Sequence, residues 1–443
     1  MMEIMSANQS HAYRMLQCLT VANRPLSVAE LAEILAFDFK EAKGGIPKLN
    51  PNWRWDDHEQ AVLSICSSFV TVVPNDGSPV VQFSHFSVKE FLMSDRLATS
   101  RRHISQYHIS LLDAHTLLAQ ASLAILLRDP DVDGLADSVA LSRYAAEHWT
   151  AHARFENIAS QLRDGMQDLF DPDKPYFDAW VELHDMDAAN DEGYSPDTPN
   201  SEPRARPLYY AAFCGFPELV EHLTLKYPQY ASARSGLLGT PLHSASFEGY
   251  LPVVRYLLRH GVDVNVRNSA NDTSLLLASW KGHHDVVQCL LEHGADINLQ
   301  DDRYSTPLKW AAYYGHVNVV RSLLEHDAEA NIQDEGGGTP LHCVMLGERF
   351  KADRSQIVRL LLKYGADPNA RNHSLQTPLH LVSRRADLLD VLRLLLEHGV
   401  DLDAKDKGGE TPLQLSLDRG HDEVTRLLSE YSNKSMLGNI TTV

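Results

Sequence analysis

The sequence predicts a mainly α chain whose larger part is a solenoid of stacked helix pairs, preceded by two smaller helix-rich segments. Three observations predict it. A Thr-Pro-Leu signature recurs at a fixed step, a glycine follows each copy at a near-constant offset, and the residues beyond each glycine are apolar at helical spacing.

The signature runs Thr240-Pro241-Leu242-His243, then Thr306-Pro307-Leu308-Lys309, Thr339-Pro340-Leu341-His342, Thr377-Pro378-Leu379-His380 and Thr411-Pro412-Leu413-Gln414, with weaker copies at Arg206-Pro207-Leu208 and Thr273-Ser274-Leu275. From Thr240 to Thr273, Thr306 and Thr339 each step is 33 residues; the flanking steps are 34, and one is 38. Each residue type has a physical reason. The threonine oxygen accepts from an orphan N–H at a helix start, and proline at the first helical position has no N–H to leave unpaired. Small pairs such as Ala211-Ala212, Ala245-Ser246 and Ala278-Ser279 let neighbouring helices approach. Gly215, Gly249, Gly282 and Gly315 then turn the chain. An outer helix follows, apolar at Val253, Val254, Leu257 and Leu258 or at Val286, Val287, Leu290 and Leu291, and ends at His260-Gly261, His293-Gly294 or His398-Gly399.

This pattern resembles the ankyrin repeat, over a little more than half of the chain, as about seven units from 205 to 443. The departures carry information. Asp327 stands where the outer helix should end in glycine, the fifth unit is lengthened between Gly347 and Gln356, and Arg384-Arg385-Ala386-Asp387 replaces a glycine turn in the sixth. The last outer helix is polar at Glu423, Thr425, Arg426, Ser429 and Glu430, as a terminal cap requires. The resemblance implies a concave face that binds protein. There the expected partner-binding residues are Phe213, Phe247, Trp280 and Tyr313, one after each small pair, with Trp310 and Tyr314 beside them. Hairpin-tip residues Asn271, Asp272, Arg303, Tyr304, His373 and Gln376 are second candidates, with Lys407 and Glu410. The repeat histidines His243, His342 and His380 belong to the capping motif, and His260, His293 and His398 suit helix ends; neither set is assigned to metal or catalysis.

Upstream, residues 1–105 predict helices over 13–22, from Ser27 through Leu35, and over 58–66. Strands over 68–73 and 80–84 flank Asn75-Asp76-Gly77, and a last helix opens with Ser87-Val88-Lys89-Glu90 as a capping box. Three helices plus a hairpin form a winged-helix-like module. The helix that would enter a DNA groove begins Asp56-Asp57-His58-Glu59, the wrong sign for phosphates, so nucleic acid is not an expected partner. Residues 106–185 predict a small helical domain with helices over 111–127, 140–155, 158–170 and 176–183, and 186–204 an acidic flexible linker.

Phe83-Ser84-His85-Phe86-Ser87-Val88-Lys89-Glu90-Phe91-Leu92, Arg24-Pro25-Leu26-Ser27 with Glu30-Leu31-Ala32-Glu33, and the helix carrying Tyr144, His148 and Trp149 resemble the C-terminal part of fungal NACHT–ankyrin signalling proteins. The resemblance implies that His85 matches a histidine that senses the diphosphate of a bound nucleotide, and that a NACHT NTPase domain is a partner in cis or in trans. This sequence contains no Gly-x-x-x-x-Gly-Lys-Ser/Thr loop, so by itself it is not expected to bind or hydrolyse a nucleotide. Either a longer protein or a derivative that kept the regulatory and recognition parts fits that pattern.

Bulk properties agree. The net charge of −19 divides as −1 over residues 1–105, −13 over 106–205 and −5 over 206–443, so no segment is basic enough to attract nucleic acid. The five cysteines form no Cys-x-x-Cys pair, which suits a reducing compartment. The most apolar window, 117–127, is too short to span a bilayer. The expectation is a cytoplasmic, non-enzymatic interaction module without cofactor or membrane, for which the resemblance implies sensing in fungal non-self recognition. The alternatives are a subunit of a nucleotide-dependent switch acting with a separate NACHT domain, or a constitutive scaffold or substrate adaptor.

Overall fold

The computed structural model describes residues 9–43, 45–50, 53, 60, 62, 69–75, 78–100, 105, 107–128, 140–186, 207–347 and 354–440. These group into two compact units, one reaching Pro228 and the other from Gln229 onward. The expected helix over 58–66 except residues 60 and 62, the Asp76-Gly77 turn and most of the 186–204 linker lie outside the described residues.

In the first unit, α1 (Gln9–Val21) packs on α2 (Val28–Leu35), which Ser27 opens with a reciprocal capping box to Glu30. Between α2 and the hairpin the chain adds two strands that sequence patterning did not reveal, β2 (Phe37–Lys43) and β3 (Ile46–Leu49). The expected hairpin is present as β4 (Val70–Val73) and β5 (Val80–Phe83), with Val73 opposite Val80. A two-residue strand, β1 (Leu26–Ser27), joins β5 on its other edge, giving the order β1-β5-β4. Two residues are too few to show a period, so only the pairing reveals them as strand.

The helix after β5 starts earlier than its sequence suggests. In α3 (Phe86–Met93) the N-cap is His85, whose Nδ1 accepts from the Ser87 N–H at 3.2 Å. Ser87 is already helical, so the expected Ser87–Glu90 capping box does not open the helix. A short helix, α4 (Asp95–Ala98), follows.

The helical part comprises α5 (Leu111–Leu126), α6 (Ser142–Ala153), α7 (Ile158–Gln161), α8 (Arg163–Leu169) and α9 (Tyr176–Leu183). The single helix expected over 158–170 breaks at Leu162, which caps α7 and opens α8. Against these helices lies the first repeat, α10 (Pro207–Phe213) and α11 (Pro217–Lys226). Trp149 stacks on Phe216 with centroids 5.5 Å apart, Trp180 and Phe177 meet Tyr210 edge-on, and Asp171 accepts from Lys226 and the Tyr227 hydroxyl. Such aromatic contacts add to the large area that each ring buries.

The second unit carries six helix pairs among its described residues. They are α12 (Pro241–Glu248) with α13 (Leu251–Arg259), α14 (Ser274–Lys281) with α15 (His284–Glu292), and α16 (Pro307–Tyr314) with α17 (Val317–Glu325). Then come α18 (Pro340–Leu346) with α19 (Arg354–Lys363), α20 (Pro378–Ser383) with α21 (Leu389–Leu396), and α22 (Pro412–Asp418) with α23 (Asp422–Ile440). Each inner helix packs on the next, and so does each outer one. The six threonines from Thr240 to Thr411 are all N-caps with extended backbone. Gly249, Gly282 and Gly315 each hold φ at +83°, and a Cβ on Gly249 or Gly282 would strike the ring of His283 or His316 at 2.5 Å. Asp327 sits at φ +65°, in the left-handed region it was expected to tolerate.

Three hydrogen-bond ladders link the repeats, each rung reaching only to the next unit. Arg267, Gln300, Gln333 and Arg371 donate to the carbonyls of Gln300, Gln333, Arg371 and Lys405. Asn265, Asn298, Asn331 and Asn369 accept from the N–H of Asp296, Glu329, Asp367 and Asp401. Hairpin tips join through Asp302 N–H to Ala270, Glu335 to Arg303, His373 to Gly336 and Lys407 to Ser374.

Candidate partner-binding surface

The capping-motif histidines show how the inner helices are held. In His243 the Nδ1 accepts from the Thr240 backbone N–H (3.2 Å) and faces the Thr240 hydroxyl at 2.8 Å, so Nε2 carries the proton. That Nε2–H donates across to the Val266 and Asp272 carbonyls at 3.1 Å. His342 and His380 repeat the arrangement, with Gln376 and Glu410 as acceptors. Burial holds His243 down to about 4 and lowers His342 and His380. Where Lys309 replaces histidine, its ammonium bridges to Asp334 of the next hairpin at 2.5 Å. The helix-end histidines are donors too: Nδ1 of His260, His293 and His398 donates to the carbonyl four residues back. Among the described residues, no three His, Cys, Asp or Glu side chains gather as a metal site would require.

Within this frame the aromatic column changes character along its length. Phe213 is 3% exposed and packs on Tyr209 and Tyr210, and Phe247 is 6% exposed. Neither ring is open to a partner, and both pack within the protein. Trp280 is half-buried and Tyr313 is 37% exposed. Trp310 and Tyr314, also half-buried, complete a continuous cluster: Phe247 to Trp280 at 5.5 Å, Trp280 to Trp310 at 5.7 Å, Trp310 to Tyr314 at 5.9 Å, and Tyr314 to Tyr313 at 5.1 Å. The Trp310 indole N–H donates to buried Asp301, which fixes its ring, and Lys281 lies 4.3 Å over Phe247. Sequence reasoning missed Leu346, which continues the column one repeat on and is 52% exposed. It stands at the same offset from Thr339, but an aliphatic side chain carries no aromatic signal.

The tips divide as well. Asp272 is buried, accepts from Asn268 and is part of the turn's framework. Gln376 is half-buried, its side-chain amide 3.2 Å from the Arg384 guanidinium and 3.4 Å from the Asp406 carboxylate. Asn271, Arg303, Tyr304 and His373 are exposed. Tyr304 and Leu375 hold φ at +56° with 59% and 43% exposure, at the tip position that Gly337 and Gly409 fill in neighbouring repeats. Left-handed backbone costs a bulky residue about 1–2 kcal/mol, and such outliers concentrate at functional positions. In the first unit His85 lies at the surface beside Phe86, itself 68% exposed.

The chain belongs to the ankyrin-repeat family, whose model matches residues 208–301, 275–372 and 348–437. A second match, to the winged-helix domain of GPI inositol-deacylase, covers residues 1–102. Among curated proteins it is similar to azaphilone pigments biosynthesis cluster protein L of Monascus ruber, with 28% identity over 271 residues. That alignment covers 57% of this chain and 55% of the relative, so the chain spans about half the length of the curated relative it matches. No helix among the described residues is long and apolar enough to cross a membrane.

Proposed function

We propose that this chain is a non-enzymatic recognition module whose central repeats grip a protein partner through Trp280, Trp310, Tyr313 and Tyr314, with Tyr304 as a second anchor at the hairpin tips. The opening of the aromatic column carries the reading: its rings pass from buried at Phe247 to exposed at Tyr313, inside one continuous cluster. Half-buried aromatics of this kind dominate binding energy at interfaces, at about 2 kcal/mol or more each. The winged-helix and helical segments are the regulatory part, in keeping with a signalling role in fungal non-self recognition. The buried cysteines Cys18, Cys214, Cys289 and Cys343 support a cytoplasmic setting.

The test compares the full chain with Trp280→Ala/Tyr313→Ala, using cross-linking capture from the native cytosol. Partners held by the wild type are lost from the variant, with affinity down more than about tenfold, while the thermal midpoint falls little because both rings are partly solvated. An unchanged set of captured proteins, or a collapse of the midpoint, sinks the reading.

A second reading rests on the exposed His85–Phe86 pair: the chain acts as a subunit of a nucleotide-dependent switch with a NACHT domain, in cis or on another chain. Nucleotide-dependent association of the full chain with such a domain, lost in His85→Ala, would favour it.

A further inference from the structure

Two motifs far apart in sequence meet inside the first unit. The corner after α1 carries Asn23 and Arg24, and α6 presents Tyr144, His148 and His152 at four-residue spacing on one face. The Asn23 backbone N–H donates to the Tyr144 hydroxyl oxygen at 3.3 Å. Tyr144 Oη lies 2.8 Å from His152 Nε2, and His152 Nδ1 lies 2.8 Å from Nδ1 of His115 on α5. His152 is fully buried, whereas His115 reaches the half-exposed rim, stacked 4.2 Å from Phe155.

The protons in this chain can be assigned. Asn23 is a donor, so the Tyr144 O–H has His152 Nε2 as its acceptor. His152 then carries its proton on Nδ1 and donates to His115, whose proton sits on Nε2 toward the rim. Every acceptor in the series is used once. One more proton on His115 sets its Nδ1–H against the Nδ1–H of His152. Moving the His152 proton to Nε2 relieves that contact but makes the Tyr144 oxygen accept from both Asn23 and His152, and its own O–H loses the acceptor it had.

We infer that Asn23–Tyr144–His152–His115 is an acid-released latch, in which proton uptake by the two imidazoles frees the α1–α2 corner from α6. Burial lowers His115 and brings His152 down to about 3, from an ordinary value of 6.5. The closed latch therefore stays neutral where an opened one is already protonated, and its hold weakens as pH falls below that ordinary value. The charged and titratable groups around it are Cys18 from α1, Arg24 from the corner, Glu30 from α2, Glu147 and His148 from α6, and His184 just after α9. Arg24 lies 5.0 Å over the Tyr144 ring and bonds Glu30 at 2.7 Å, with Glu147 at 4.0 Å. Its guanidinium holds the corner closed by charge, while the relay makes that closure depend on pH.

Hydrogen exchange on the full chain tests this. Between about pH 7.5 and pH 5, residues 16–24 and 141–153 are expected to lose about tenfold in protection after correction for intrinsic rates. His115→Gln/His152→Gln, which keeps donors and acceptors but cannot titrate, is expected to hold its protection across that range. Should the double variant fold poorly, amide NMR provides a second measurement. The Asn23 N–H shift follows the imidazole midpoint in the wild type and stops following it in Tyr144→Phe. Equal acid sensitivity in wild type and double variant, or an Asn23 amide indifferent to the imidazoles, overturns the proposal.

Discussion

Phe213 and Tyr313 occupy the same position in their repeats, three units apart, yet one is 3% exposed and the other 37%. The difference lies in what flanks each. The first repeat packs on α6, α8 and α9, and its aromatics become part of a core with Trp149, Phe170, Phe177 and Trp180. Among the described residues the helices of the central repeats pack on those of neighbouring repeats, and the rings of Trp280 and Tyr313 keep an open side there. The two regions are also stabilised differently. The first unit depends on contacts that occur once, often between residues far apart in sequence. The stack repeats the same few rungs, and each repeat's stability comes from its own fold and its immediate neighbours.

This contrast can be broken most severely at its aromatic centre. Trp149→Ala removes a fully buried indole and is expected to cost about 3–5 kcal/mol. Denaturant unfolding followed by hydrogen exchange should show the loss in the first unit, with protection in α14–α17 retained. Equal loss in both units would show that they unfold as one.

Acid should act next most strongly, and on the stack. His243 has a folded value of about 4 against an ordinary 6.5, so it contributes stability above pH 6.5 that disappears as pH falls toward 4. For this fully buried group the contribution is about 3 kcal/mol. His243→Gln, which can replace the Nδ1 acceptor only in part, is expected to lower the midpoint at neutral pH and to flatten its acid dependence. Thermal scans at stepped pH measure both effects.

The smallest effect sharpens the contrast between stability and function. Tyr304→Gly relieves a left-handed backbone at an exposed tip, and after glycine's own entropy cost should raise stability by about 0.5 kcal/mol. Capture of the partner should fall in the same variant. A stabilised variant that binds as before would leave the tip's strained tyrosine without a role.

Much of the stack was legible because its signals are local. A threonine cap, a proline at the first helical turn and a glycine at positive φ act within a few residues, and a period of 33 repeats them often enough to exclude chance. The histidines of the capping motif were also recognisable as structural. Their carbonyl partners one hairpin away, such as Val266 for His243, were not. In the first unit the Ser27–Glu30 box was readable, but β1 is too short to show a period, and His85 replaced Ser87 as a cap because imidazole nitrogen can accept as an oxygen does.

By itself, then, the sequence determined that this chain forms stacked helix pairs and where most of those pairs begin and turn. Only the tertiary structure decided which aromatics are core and which are surface, and that His115, 37 residues from His152, would share a proton with it. Caps and turns are set by neighbours along the chain. Burial and hydrogen-bond partners are set by whatever else packs into the same space, and no local pattern encodes that.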